Sequence, residues 1–329
     1  MSKKTISTII QLILFLGIGI GLVIWRYNAM GIEERDDMFA SIQKVRYWWL
    51  LPIFIVGFFS HFFRTLRWQL LLKPLDMHPK TANTLFSVLI GYLANTVIPR
   101  AGEVVKCTVL AKYEKIPADK MVGTIIAERA FDMVCLLLLI FLVLGVEYNT
   151  IAPYAFELYK KLFFNSQNEF KWLSILLVLI VLSIGIFALI RFSKSKKKSK
   201  IGQIIANVGE GLKSIALVQK KGLFLLYTFL VWACYTLMAI MGFWAIPSLE
   251  GLSIIAGLAI ITFGSIGMIV TPGGIGAYPI IVAQVLLLYG VNEGVGTAYG
   301  WVAWSANTGV VIILGLLSLI LLPIYNRNK

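Results

Sequence analysis

The sequence predicts an all-α polytopic membrane protein with about six full transmembrane helices and two re-entrant helical hairpins in an inverted-repeat-like arrangement. This prediction rests on the composition, on the length of the apolar stretches and on two interruptions within them. Of the 329 residues, 59% are hydrophobic and 14% are charged. An ordinary soluble domain has about 45–50% apolar and about 25% charged residues, so the composition excludes a soluble globular protein.

The charge balance indicates membrane topology rather than a nucleic-acid partner. Thirty Lys and Arg against 16 Asp and Glu give a formal net charge of +14. The basic residues stand in short blocks beside apolar runs, as they do in the inward-facing loops of membrane proteins. No basic face with interleaved aromatic residues lies outside these blocks, so nucleic acid is not expected to bind. The three cysteines are too few and too scattered for a disulfide framework or a metal site.

Six stretches are predicted to span the membrane, which requires about 20 mostly apolar residues each. They cover residues 6–25, 47–63, 121–146, 171–190, 222–246 and 297–322. The first is longer than a signal-peptide core and lacks a cleavage site, so it is predicted to be an uncleaved anchor with its N-terminus inside. The basic run between Arg191 and Lys200 is the strongest signal for the inner side.

Residues 81–98 form the first broken segment. The basic residues at 64–80 and the segment 99–120 are both assigned to the inside, so this segment must enter and leave the membrane on one face. Asn83, Asn95, Thr96 and Pro99 are costly in lipid, but they are acceptable where irregular backbone is buried in protein or lines a wet cavity. The sequence therefore predicts a re-entrant hairpin at 81–98.

Residues 252–291 form the second broken segment, interrupted at 271–279. The apolar stretch that follows, 280–291, would rise only about 18 Å of a core about 30 Å thick. The whole segment 252–291 is either a re-entrant hairpin entered from outside, which we favour, or two short tilted spans that meet at a broken centre. Gly91 lies eight residues before Pro99, and Gly264 lies eight before Pro272. Paired interruptions entered from opposite faces are typical of inverted-repeat transporters.

These segments make one integral membrane domain over residues 1–329. The first half is 1–190, and the second half is 222–329. Between them lies a basic, amphipathic linker at 191–221, whose apolar residues recur at helical spacing. We expect this linker to lie along the cytoplasmic surface.

Charged residues near the membrane core are the main candidates for a site. Glu128 and Asp132 share one face of a predicted helix, and the densest charge cluster consists of Arg100, Glu103, Glu128, Arg129 and Asp132, with Asn95 nearby. Each charge at membrane depth costs about 2.5–3.5 kcal/mol, which favours a functional task. Arg100 and Arg129 would suit a phosphate. The alternative is that the pairs only pin the re-entrant loop to the helix.

Two further groups are candidates with structural alternatives. Arg64, Arg67 and Trp68 are predicted at the inner interface, where they contact a lipid headgroup or, as we favour, anchor the helix. Pro272, Gly273, Gly274 and Gly276 would either expose backbone amides to an anion or form a tight break between half-helices. The sequence contains no phosphate-binding P-loop, zinc-binding or nucleophile motif, so we expect no catalytic residue, metal or cofactor.

Four motifs in order resemble those of the lysylphosphatidylglycerol synthase transmembrane-region family, also called the flippase-like family. They are Arg64-x-x-Arg67-Trp68, Asn95-x-x-x-Pro99-Arg100-x-Gly102-Glu103, Glu128-Arg129-x-x-Asp132 and Pro272-Gly273-Gly274-x-Gly276. The resemblance implies a membrane region similar to the one that moves an aminoacylated lipid across the bacterial inner membrane. The chain ends at Lys329. We therefore do not expect the family's soluble aminoacyltransferase domain or its chemistry.

The expected function is binding or translocation of a phosphate-bearing lipid, either a phospholipid or an aminoacylated phospholipid. The resemblance implies a multi-pass protein of the bacterial cytoplasmic membrane, and positive-inside sorting places both termini in the cytoplasm. Expected partners are anionic or aminoacylated phospholipids, together with a second copy of the chain or a separate lipid-modifying enzyme. The alternative is a non-transporting membrane protein that presents a lipid or polyprenyl-linked substrate to a separate enzyme.

Overall fold

The computed structural model describes residues 17–98, 101–153, 156 and 217–327. Residues 17–29 are helical. The helices discussed below are α1 Ile32–Gln43, α2 Leu50–Leu72, α3 Thr81–Val97, α4 Ala101–Glu114, α5 Ala118–Val146, α6 Lys221–Ala245, α7 Ile254–Val270, α8 Ala277–Leu288 and α9 Glu293–Tyr325. The predicted span at 171–190, the basic run and most of the amphipathic linker lie outside the described residues.

Four described helices are long and apolar enough to cross a membrane. These segments are Tyr47–Leu75, Ala118–Val146, Lys221–Ala245 and Glu293–Tyr325, and they coincide with four of the six predicted spans. The helix predicted to end at residue 63 continues to Leu72. Arg64 and Arg67 therefore lie inside α2 rather than in a loop beyond it, because protein buries the last turns of this helix.

The antiparallel pair α2 and α6 forms the centre of the described fold. The ring of Trp49 lies 5.0 Å from that of Trp244, at the beginning of α2 and the end of α6. Near the opposite ends, the rings of Phe63 and Tyr227 are 6.4 Å apart. The two long helices thus run in opposite directions along most of their length.

The helices α3 and α4 form a first hairpin. At its open end, the amide of Asn83 donates to Glu114 Oε1 at 2.5 Å. Near its tip, the backbone amide of Gly102 donates to Asn95 Oδ1 at 2.7 Å. A Cβ atom at Gly91 would lie 2.8 Å from the carbonyl oxygen of Gly102, so the two helices touch through their backbones. The predicted segment 81–98 is therefore only one arm, and much of the segment 99–120 forms the other.

The helices α7 and α8 form a second hairpin around the glycine-rich break. Gly273, Gly274 and Gly276 have φ angles of +62°, +75° and +76°, which an L side chain rarely adopts. Across the break, a Cβ atom at Gly264 would lie 2.8 Å from the ring of Tyr278. The interruption predicted at 271–279 is confirmed as a sharp turn between two short helices.

The two halves repeat one arrangement of helices. Each contains a long helix, a helix of 17 residues, a break, a helix of 14 or 12 residues and a second long helix. Gly91 and Gly264 each lie ten residues after the start of the 17-residue helix, and each faces the second residue of the next helix, Gly102 or Tyr278. The last helix of each half packs on the 17-residue helix of the other half. In this way α9 packs on α3, and α5 packs on α7.

Replacing Gly102 by Ala should destabilise the first hairpin. The added Cβ atom would collide with the backbone oxygen of Gly91 and the side chain of Asn95. Overpacking of this kind costs about 1–3 kcal/mol, so the melting temperature in detergent should fall. Gly123→Ala in α5 is the matched control, because its Cβ atom meets nothing within 4 Å. Equal melting temperatures for the two variants would contradict this close backbone contact.

Candidate functional site

Charged side chains meet near the middle of the long apolar helices. Asp132 is the central residue of the segment Ala118–Val146, and Arg64 lies three residues past the centre of Tyr47–Leu75. Every buried charged side chain of the described residues lies in α2, α4 or α5. Charges at this depth are rare in membrane proteins, where they pair with one another and mark functional sites.

Two arginines of α2 and two carboxylates of α5 form the core of the cluster. Arg64 Nη1 lies 2.9 Å from Asp132 Oδ2 and 3.2 Å from Glu128 Oε1. Arg67 Nη1 lies 2.7 Å from Asp132 Oδ1, and its Nη2 lies 3.2 Å from Glu128 Oε1. Each guanidinium therefore bridges both carboxylates. The side chains of Arg67 and Glu128 are completely buried, whereas that of Asp132 is 16% exposed.

Lys106 of α4 adds a third cation. Its Nζ lies 2.9 Å from Glu128 Oε2. The Glu128 carboxylate therefore pairs with Arg64, Arg67 and Lys106. The ammonium also lies 3.9 Å from the centroid of the Trp68 ring, a cation–π distance. The indole of Trp68 in turn donates to Thr124 Oγ1 at 2.9 Å. The first hairpin is thereby joined to α2 and α5.

The helix α6 contributes two neutral acceptors. Arg64 Nη2 donates to the Tyr235 hydroxyl at 3.0 Å, and Arg67 Nη1 donates to Thr228 Oγ1 at 3.3 Å. Both acceptors lie on the face of α6 that packs on α2. The cluster defined by Arg64, Arg67, Lys106, Glu128 and Asp132 thus links four helices.

A narrow crevice between α3, α4 and α5 reaches this cluster. It is lined by Val88, Gly91, Tyr92, Asn95, Gly102, Glu103, Lys106, Ile125 and Arg129. Its volume is about 10 Å³, room for roughly one water molecule. The Arg129 side chain is 43% exposed, and its Nε lies 3.7 Å from Glu103 Oε1. This pair at the crevice is longer and more accessible than those of the cluster.

Comparison with known proteins identifies the family. The model of the lysylphosphatidylglycerol synthase TM region matches residues 9–323. The chain belongs to this family. No curated protein and no solved structure gives a significant match. Together with the four long apolar helices, the family makes the chain a multi-pass membrane protein.

The structure brings together five of the thirteen site residues predicted for this family member. Glu128, Asp132, Arg64 and Arg67 meet in one cluster, with Trp68 packed against it. Arg64, Arg67 and Trp68 are buried in protein, so the interpretation of these residues as an interface anchor is wrong. Arg100 lies outside the described residues.

Arg129 lies apart from the other charged residues of α5. It lies on another face of the helix, where its Nη2 is 3.4 Å from the Tyr92 hydroxyl of α3, and its neighbours Glu128 and Asp132 pair with α2 and α4 instead. Asn95, Glu103 and Arg129 therefore line the crevice beside the cluster.

The glycine-rich break is separate from the cluster. The indole of Trp304 donates to the Gly273 carbonyl at 2.6 Å, and the Gly274 amide donates to the Thr271 carbonyl at 2.9 Å. Around Gly276, the helical residues 17–29 pack so closely that a Cβ atom would lie 2.7 Å from the Gly19 carbonyl oxygen. The short turn Pro272–Gly274 also contacts α3, so the break lies beside the first hairpin.

Sequence reasoning missed Lys106, Tyr92, Tyr235 and Thr228. Lys106 carries a usable signal, because Gly102, Lys106 and Leu110 form the buried stripe of α4. A lysine on such a stripe needs a buried partner. The tyrosines and the threonine give no such signal, since these residue types are common in apolar helices. Their role depends on which helix packs on α2.

Glu128→Gln should destabilise the protein more than Asp132→Asn. Glu128 is fully buried and faces three cations, whereas Asp132 is partly exposed and pairs with two. Removing one partner of a buried ion pair costs about 3–5 kcal/mol, which should appear as a lower melting temperature in detergent.

The exposed pair of Arg46 and Glu250 provides the control for this comparison. Its side chains are 44% and 45% exposed, so Glu250→Gln should cost at most about 1 kcal/mol. A loss for Glu128→Gln no larger than that of the control would show that the cluster contributes nothing to stability.

Proposed function

We propose that this membrane protein binds the phosphate-bearing headgroup of a membrane lipid at the cluster and moves that lipid across the bacterial cytoplasmic membrane. The observation that carries the proposal is a cation-rich cluster buried at mid-depth beside a crevice. Guanidinium groups grip phosphate with paired hydrogen bonds, and a lysine adds a point charge. The substrates we propose are a phospholipid or an aminoacylated phospholipid, and the proposal includes no catalytic step.

Arg129 is the residue we propose to meet the headgroup first. Its side chain is partly exposed, and its 3.7 Å separation from Glu103 leaves the pair easy to exchange for a phosphate. The crevice holds only about one water molecule. Entry of a headgroup therefore requires α3 and α4 to separate from α5. The close backbone packing of Gly91 on Gly102 favours movement of the hairpin as one unit.

The proposed topology has six spans, two re-entrant hairpins and both termini in the cytoplasm. The Gln69 side chain, near the end of α2, donates to the Pro79 carbonyl at 2.9 Å, which supports an opening of the first hairpin beside that end. Leu249 lies in the same cluster of buried side chains as Val45, Val285 and Leu286, which supports an opening of the second hairpin beside the start of α2. Hairpins entered from opposite sides fit an inverted-repeat transporter.

Arg129→Lys should abolish lipid movement without unfolding the protein. Lysine keeps the charge but lacks the planar guanidinium group, so one hydrogen bond to the phosphate is lost. Loss of one hydrogen bond between charged groups should lower the rate of lipid movement at least about tenfold. The measurement is dithionite quenching of a fluorescent phosphatidylglycerol in reconstituted vesicles, with the melting temperature recorded in parallel. Arg46→Lys, which alters an exposed pair elsewhere, should behave like the wild type.

Full activity of Arg129→Lys would remove Arg129 from the proposed path. A wild-type protein that binds lipid but never moves it would favour the alternative, a membrane protein that presents its lipid or polyprenyl-linked substrate to a separate enzyme. Copurification with that enzyme would then be expected.

Introduced cysteines test the proposed topology. Lys112 of α4 and Asp36 of α1 are both exposed, and the proposal places them on the inner and outer sides. In a variant lacking the native cysteines, Asp36→Cys should react with an impermeant maleimide added to intact cells, and Lys112→Cys only after the cells are opened. Labelling of Lys112→Cys from outside would contradict the first re-entrant hairpin. Native Cys107 cannot serve as the probe, because it is only 2% exposed.

A further inference from the structure

The buried cluster is short of one negative charge. It holds three cations, Arg64, Arg67 and Lys106, and two carboxylates, Glu128 and Asp132, all with side chains at most 16% exposed. The nearby pair of Arg129 and Glu103 is neutral as a unit and leaves the balance unchanged. The described residues around the crevice and cluster therefore carry an excess of one positive charge.

His61 does not alter this count. It is buried one turn before Arg64 on α2, and its ring lies 4.7 Å from that of Tyr92. A proton there would place a further cation beside a buried guanidinium, which disfavours the charged form of imidazole. The neutral form is the one that this position supports.

The same cluster also contains unpaired polar atoms. Within the described residues, the buried Nε atoms of Arg64 and Arg67 have no acceptor, and the buried Asp132 Oδ1 accepts no hydrogen bond. Buried donors are nearly always satisfied in native proteins. The missing charge indicates that an anion completes this site, and the two unpaired guanidinium donors are groups that an anion would satisfy.

Lys106 connects the cluster to the crevice. It lines the crevice and also contacts Glu128. A phosphate that reaches the ammonium through the crevice would supply the missing charge to the whole cluster. One negative charge would balance it, whereas two would leave a buried excess of the opposite sign.

We infer that the site selects a monoanionic phosphodiester and disfavours a dianionic phosphomonoester. This inference rests on the proposed function and specifies the charge of its substrate. At neutral pH a phosphodiester carries one charge, whereas a phosphomonoester carries about 1.5 to 2, because its second pKa is near 6. The remainder of the headgroup lies beyond the cluster and is not specified by this balance.

Short-chain lipids added to the purified full-length protein in detergent test the inference. The probes are dioctanoyl phosphatidylglycerol and dioctanoyl phosphatidic acid, and binding is followed by the shift in melting temperature. At pH 7.5 the diester should bind at least about tenfold more tightly, equivalent to about 1.4 kcal/mol. At pH 5 the monoester loses its second charge and should approach the diester in affinity. Tighter binding of the monoester at pH 7.5, or a preference that ignores pH, overturns the inference.

Charge-altered variants provide a second test. Asp132→Asn adds one unit of positive charge to the cluster and should reverse the preference towards the phosphomonoester. Lys106→Gln removes the excess and should weaken binding of both probes. Lys112→Gln is the control on the exposed side of the same helix and should leave the preference unchanged. A folded Asp132→Asn protein that keeps the diester preference overturns the inference. If this variant does not fold, the pH comparison on the wild type decides.

The outcomes separate this inference from the proposed function. Failure of both lipids to bind would overturn the proposed lipid site and the charge inference together. Binding with the wrong charge preference would overturn the inference alone. Glycerophosphoglycerol is included as a soluble diester without acyl chains. If it binds as tightly as the lipid, the ligand is a free phosphate ester, and the lipid assignment fails while the charge preference stands.

Discussion

Two arginines on one apolar helix form ion pairs with two carboxylates on another. The positions of the neighbouring helices depend on these ion pairs. Arg64 and Arg67 have no low-energy position in lipid, so α2 must pack where Glu128 and Asp132 can reach them. Lys106 then places the first hairpin against the same carboxylates, and Tyr235 and Thr228 fix the rotation of α6. Packing at the centre of the protein is therefore dictated by charge compensation more than by apolar surface, which lipid covers equally well.

The two halves use the same backbone plan for different interiors. In the first half, Trp68 bonds to Thr124, which lies six residues after the start of α5. In the second half, Tyr299 lies at the same position of α9 and donates to the Ala239 carbonyl of α6 at 2.9 Å. The second half thus joins its long helices through neutral groups, and the buried charges of the described residues belong to the first. The two halves therefore share one arrangement of helices but differ in the polarity of their interiors.

Much of the fold follows from the sequence, because the cost of exposing polar backbone to lipid leaves few choices. The length of the apolar stretches predicted the four long helices, and glycine and proline residues predicted both breaks. Glu128 and Asp132 stood out as charges within an apolar run. The partners of these carboxylates could not be derived, because Arg64 is 64 residues away from Glu128 in the chain. In addition, the sequence around Arg64 is typical of a helix end at the inner membrane interface. The signal at Lys106, its place on one stripe with Gly102 and Leu110, is weaker. A lysine in a mildly amphipathic segment normally faces water, and it is buried here because α4 packs on α3 and brings it against Trp68 and Glu128.

The distance along the chain between these partners also governs how the protein can be made. Arg67 is synthesised 61 residues before Glu128. At about 5–20 residues per second, the ribosome needs roughly 3–12 s to cover that interval. During this time α2 carries two cations without their counter-ions, and no bilayer accepts it at full depth without a penalty. The penalty persists until α5 emerges and its carboxylates can pair with the arginines. The order in which the helices are translated therefore sets how long the two arginines remain without their counter-ions.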